Sequence, residues 1–210
     1  MINMFEDNKW QAVTGAEMAP FLSSINPISG KHTASDATAS VEWRQLPFYG
    51  NIALVRIKDS TWSADVGPFW FLAKQGRMFH LDGTSMPIHE ANEAGPIKVT
   101  EDNVLEYLRF FCFFVHGDDG PFLIIEDIDD KAFNHGEMND TIKGIIEGSV
   151  LPASYEGRND NGELQTNGIV LYGDALFSAR FSVSENGMIE MVDDDPIAAD
   201  IPVIPYRAKL

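Results

Sequence analysis

An α+β fold is the class this sequence predicts: an antiparallel, twisted sheet packed on a central buried helix at about residues 100–116, with a β-meander in the C-terminal half. Three observations predict it. From residue 41 onward, short apolar runs rich in branched and aromatic residues recur between Gly, Pro and Asn punctuation. The stretch "TEDNVLEYLRFFCFFVHG" (100–117) repeats large apolar residues at helical spacing. Finally, Asn-Gly and Gly-Asp pairs fall at short intervals after residue 160, as hairpin turns do.

The elements follow in chain order. "GAEMAPFLSSI" reads as a short helix before Pro27, and "NPISGKHTASDATAS" (26–40) as a polar loop. Residues 1–40 are therefore expected to form an N-terminal arm and linker. Residues 41–210 are expected to form a single α+β domain, with 41–116 and 117–210 as possible β-rich sub-units. "SVEWRQLPFYG" and "NIALVRIK" read as strands, and "GPFWFLAKQGRMFHLDG" as a hairpin turning at Lys74-Gln75-Gly76. Pro87 and Pro96 argue for loop over 84–96, with at most one short helical turn.

In the predicted central helix, Thr100 is the expected N-cap, with Glu101 and Asp102 at the positive end of the helix dipole. Val104, Leu108, Phe111 and Val115 form its apolar row, Glu106 and Arg109 mark its outward side, and Gly117 is the expected left-handed cap. "FLIIEDI" then reads as a buried strand, followed by a loop and an irregular helix. The meander from residue 150 is expected to turn at Asn161-Gly162, Asn167-Gly168, Tyr172-Gly173-Asp174 and Asn186-Gly187. "FYGNIALVRIK" (48–58) and "LYGDALFSARF" (171–181) echo each other, as a duplicated β-unit or a chance likeness would.

Charge narrows the function. The formal net charge is −17, and it is uneven: 10 acids face 8 bases in residues 1–100, and 22 face 7 in residues 101–210. Phosphate contacts need Lys and Arg, so nucleic acid is not an expected partner. A basic protein partner for the acidic half is. No apolar run is long enough to span a bilayer, and "MINMFEDNKW" carries no secretory pattern. With a single cysteine there is no internal disulfide, so a cytoplasmic location is expected. The aromatic residues Trp43, Trp62 and Trp70, read as exposed, suggest a homodimer.

Four groups of residues have the chemistry of candidate sites. Cys112 and His116 stand four apart on the central helix, but a thiolate is disfavoured near a helix C-terminus and the flanking phenylalanines imply a core position. In "FHLDGTSMPIHE", His80 and Asp82 alternate along a strand, with His89 and Glu90 close behind; two histidines and a carboxylate suit an open divalent-metal site. Asp127, Asp129 and Asp130 belong to an acidic run over 118–140 that lacks the glycine and terminal glutamate of an EF-hand loop. The acids of "VDDDPIAAD" read as gatekeepers at a strand end. Nucleotide, hydrolase and redox signatures are missing. The expectation is therefore a non-catalytic interaction or regulatory module without a cofactor, its contacts made by Asp127, Asp129 and Asp130. The alternative is a metal-dependent, hydrolase-like enzyme using His80, Asp82 and His89, with Glu90 nearby.

Overall fold

Alternating apolar strands build two five-stranded antiparallel sheets, each with a core of its own. The computed structural model describes Phe5 and residues 9–30, 32–64 and 66–204; the start of the expected N-terminal arm, at 1–4 and 6–8, lies outside the described residues. The chain divides into two compact units, one within residues 7–96 and the other within 97–206 together with Phe5. The fold class is α+β, as expected.

In the first unit the strands are β1 (Gln11–Val13), β2 (Ala39–Gln45), β3 (Ala53–Asp59), β4 (Phe69–Lys74) and β5 (Arg77–His80), adjacent in sequence order. Register sets Val41, Ile57 and Phe69 in one row, and Trp43, Val55, Phe71 and His80 in the next. These rows share a face, against which α1 (Ala19–Ile25) packs Leu22 and Ile25, with Met18 beside them. At the β4–β5 turn Gln75 and Gly76 both take positive φ, 41° and 84°, as a two-residue hairpin loop requires.

Two segments differ from the expectation. Residues 86–94 are a nine-residue helix, α2 (Met86–Ala94), rather than loop. Pro87 lies in its first turn, where a missing N–H costs nothing and the fixed φ favours helix. The polar loop 26–40 is tied down by Asp59 at the end of β3. One carboxylate oxygen accepts from Ser35 N and Thr38 Oγ1 at 3.1 and 2.7 Å, the other from Thr61 N and Oγ1 at 2.9 and 2.7 Å.

The second unit holds α3 (Val104–Phe114), β6 (His116–Gly117), β7 (Gly120–Pro121), β8 (Leu123–Ile125), α4 (Asp140–Ser149), β9 (Ser154–Arg158), β10 (Leu164–Tyr172), β11 (Ala175–Val183) and β12 (Ile189–Ala198). Its sheet runs β12-β11-β10-β8, with β9 also paired to β10. Leu108 and Cys112 of α3 meet Ile124, Ala153, Val170, Ala179 and Phe181. The helix serves this sheet, while the N-terminal sheet has α1.

Helix α3 is shorter than the expected 100–116. Thr100 is not its cap; its backbone N–H donates to Asn103 Oδ1 at 2.8 Å, forming a turn that leads in. At the other end Val115 is extended and His116–Gly117 pairs with Gly120–Pro121, so the chain leaves by a hairpin and Gly117 is no left-handed cap. Glycine is needed at 117 because a Cβ there would collide with the Tyr172 hydroxyl, which accepts from Asp119 N at 3.0 Å.

Arg109, expected on the outward side, is half-buried and doubly bonded to Glu126, with both contacts at 2.7 Å. Glu126 Oε1 also accepts from Ala153 N at 3.0 Å, joining α3 to the end of β8 and the entry to β9. Tyr107, wholly buried, donates its hydroxyl to Gly187 O at 2.6 Å. Asn167-Gly168 is not a turn: it lies in the middle of β10, opposite Arg180 and Ala179. Pairing on both sides of a central strand outweighs the local turn preference of Asn-Gly.

The unit gives unequal roles to the phenylalanines of α3. Phe110 and Phe114 are fully buried, while Phe111 is only half-buried. Phe110→Ala is expected to cost about 3–5 kcal/mol and Phe111→Ala distinctly less, as read by chemical denaturation; equal losses would contradict this burial pattern.

Asp59 gives a pH test. Burial pushes its carboxyl up, but its hydrogen bonds to Thr61, Thr38 and Ser35 win and bring it down to about 2. A carboxyl depressed by folding stabilises above its unfolded value, so this contribution should vanish as pH falls from about 4 to about 2. Asp59→Ala should cost about 1–2 kcal/mol at pH 7 by removing four hydrogen bonds to partly exposed donors of the two flanking loops. The gap between its melting temperature and that of the parent should narrow progressively below pH 4.

Candidate binding cleft

Successive residues of a strand face opposite sides of a sheet, so the C-terminal sheet has a second face away from its α3 core. Two cross-strand rows meet there. Asn167, Arg180 and Asp193 stand opposite one another on β10, β11 and β12, as do Ile169, Ser178 and Asp195. With Leu151 and Pro152 as a wall, these rows line an open cleft of about 340 Å³. All its residues belong to one unit.

The cleft mixes polar and apolar lining, and its polar groups are only partly satisfied. Arg180 is ion-paired with Asp193, which neutralises both. Asp195, one row along, has no ion-pair partner among the described residues. Asn167 Oδ1 is buried and accepts no hydrogen bond. An orphaned carbonyl of this kind costs about 1–3 kcal/mol.

The sequence-expected sites fare differently. His80 lies on β5 between Phe69 and Phe71, with ring centroids at 5.8 and 5.2 Å. Burial lowers its pKa, partly offset by Asp82, and its Nε2 has no hydrogen-bond partner. Asp82 turns to the backbone and hydroxyl of Thr84. His89 and Glu90 belong to α2, where Glu90 pairs with Arg77 at 3.5 Å. Among the described residues no group of three or more His, Cys, Asp or Glu is placed to hold a metal ion, so His80, Asp82, His89 and Glu90 are not brought together as a metal site. Helix formation over 86–94 is the physical reason: the segment expected to fold back as a loop is rigid.

Asp127 and Asp129 are exposed, and Asp127 Oδ1 accepts from Asp129 N at 2.9 Å. Asp130 is 8 % exposed and accepts from Ala132 N at 2.8 Å, so it holds the loop together instead of facing a partner. The tryptophans also differ from expectation. Trp70 is buried, and Trp43 and Trp62 pack against the N-terminal core, so they form no exposed aromatic surface. His116 is half-buried with its Nε2 3.2 Å from Phe113 O, and burial lowers its pKa.

The turn reading of Asn167-Gly168 hides Asn167, Arg180 stands in no candidate group, and Asp195 is read from sequence only as a gatekeeper at a strand end. The available signal was alternation, Ser178-x-Arg180 and Asp193-x-Asp195. Comparison with family models, curated proteins and solved structures returned no match. No helix among the described residues is long and apolar enough to cross a membrane.

Cys112 is fully buried in the α3 core, where burial pushes its thiol up to about 12. The native protein should resist a bulky maleimide and label fully once unfolded; fast native labelling, read by mass spectrometry, would refute this packing.

Proposed function

We propose that the chain is a non-catalytic interaction module of the cytoplasm whose acidic C-terminal half receives a basic protein surface. The observation that carries this reading is the exposure of acids on one unit: Asp193, Asp194 and Asp195 along the outermost strand, and Asp127 and Asp129 on a loop of the same unit. Exposed carboxylates in excess of nearby cations (only Asp193 of this set has an ion pair among the described residues, with Arg180) raise the encounter rate of a Lys- and Arg-rich surface and discourage acidic ones. The interaction set expected from sequence loses Asp130 to the interior and gains β12. The lone thiol, inert in the core, fits a reducing compartment. The reading requires neither a cofactor nor a second copy of the chain.

Exposed charge pairs are screened over about 8 Å at physiological ionic strength. Capture of basic proteins from lysate should therefore weaken steeply between low and high salt. Asp127→Lys, Asp129→Lys and Asp194→Lys together should abolish capture while leaving the melting temperature within a few degrees of the parent. Retention of every captured protein by that triple variant would sink the proposal.

A further inference from the structure

We infer that Asn161 is a site of spontaneous main-chain modification, at which the side-chain amide closes on the Gly162 nitrogen, loses ammonia and is hydrolysed to aspartate and isoaspartate. The chain holds two further Asn-Gly pairs, 167–168 and 186–187, and the fold holds both of them back. This chemistry requires no partner protein and does not depend on the interaction-module reading.

In the first step the Gly162 main-chain nitrogen gives up its proton to base and bonds to Cγ of Asn161. The bond from Cγ to Nδ2 breaks, and that nitrogen leaves as ammonia. Water then opens the cyclic imide at one carbonyl or the other. One opening gives aspartate; the other gives isoaspartate, in which the main chain runs through the former side chain. Amide and water become carboxylate and ammonium, with nothing oxidised or reduced. Glycine favours the closure because no Cβ obstructs the approach of its nitrogen.

Residues 159–163 and 184–188 are the same loop in backbone terms. In each, the first N–H donates to the fifth carbonyl, at 3.0 Å from Asn159 and 2.9 Å from Ser184. In each, the glycine N–H donates to the first carbonyl at 2.9 Å, and the glycine takes positive φ, 83° and 81°. Both asparagines are exposed. Only the side chains differ. Asn186 Oδ1 accepts from Ser184 Oγ at 2.6 Å and from Met188 N at 3.1 Å, so its amide must leave two donors before it can turn to Gly187. In the other loop that task falls to Asn159, whose Oδ1 accepts from Asn161 N and Glu163 N, both at 3.0 Å. The Asn161 side-chain amide has no hydrogen-bond partner among the described residues and can rotate onto Gly162. Asn167 lies in mid-strand between Ser154 and Arg180, and Gly168 is buried, so its main chain cannot fold onto its side chain without leaving the sheet.

Isoaspartate at 161 lengthens the main chain of the loop and adds a carboxylate beside Asp160 and Glu163. The Asn159–Glu163 closure and the bond from Arg158 to Gly162 O, at the open end of the β9–β10 pair, are the contacts it disturbs.

The test is peptide mapping by mass spectrometry of the full native chain held at body temperature in mildly alkaline buffer, with fragmentation that separates isoaspartate from aspartate. A parallel incubation in denaturant supplies the reference. Unfolded, all three Asn-Gly pairs should convert at rates within a few-fold of one another. Folded, Asn161 should convert, Asn167 should stay intact, and Asn186 should react on the order of tenfold more slowly than Asn161, because its two hydrogen bonds must break first. Ser184→Ala removes one of those donors and should speed Asn186 while Asn161 keeps its rate. An Asn161 that stays intact in the folded chain while it converts in denaturant overturns the inference, as does Asn186 or Asn167 keeping pace with it in the native protein. A rate at Asn186 that Ser184→Ala leaves unchanged overturns the protection assigned to its hydrogen bonds.

Discussion

Because side chains along a strand alternate faces, the register of β10 decides at once what packs on α3 and what lines the cleft. Gly168 and Val170 look toward Ile124, Ala153 and the helix, while Asn167 and Ile169 look the other way. A slip of one residue would bury Asn167 and expose Val170. The register is held from both sides, by nine paired residues of β11 and by β8 and β9. It is also held from above, since Glu126, one residue beyond β8, grips Arg109 of the helix and the backbone of Ala153. The helix, the sheet and the cleft therefore form one mechanical unit.

That unit was partly legible in the residues. Helix α3 was legible because its apolar spacing is long and dense, and the β4–β5 hairpin because Gln75-Gly76 supplies the positive φ that a tight turn needs. Local reasoning failed where a residue type has two opposite uses. Pro87 reads locally as a breaker, yet it stands in the first turn of α2. Asn167-Gly168 reads locally as a turn, and pairing on both sides makes it strand. Asp130 looks like its exposed neighbours in sequence; its bond from Ala132 N is local, and what the residues alone do not show is its burial. The cleft was illegible for a related reason: it is made by rows across three strands, and register is not a property of any one of them.

Buried carboxylates and exposed ones do different work in this chain. Asp59, Asp130 and Glu126 spend their lone pairs on backbone and side-chain donors, organising loops that contain few apolar residues. Asp127, Asp129 and the aspartates of β12 are left to solvent. The repeated motif around Phe48 and Leu171 has no such division of labour. Tyr49 precedes a loop before β3, whereas Tyr172 ends β10 directly at the Gly173 turn, so similar letters take different local structures.

Strand β12 is irregular against β11. Its register shifts between Leu176 and Phe177 and again between Arg180 and Phe181, which leaves Ile197 and Val192 bulged. Between the bulges only Asp193–Pro196 runs regularly, and Pro196 has no N–H to offer. A further strand laid alongside would find a ladder a few residues long and then lose step. The sheet is thus terminated by backbone geometry as well as by repulsion between carboxylates. Repulsion fades in concentrated electrolyte and the bulges do not, so the sheet stays finite under conditions in which charge would no longer protect it.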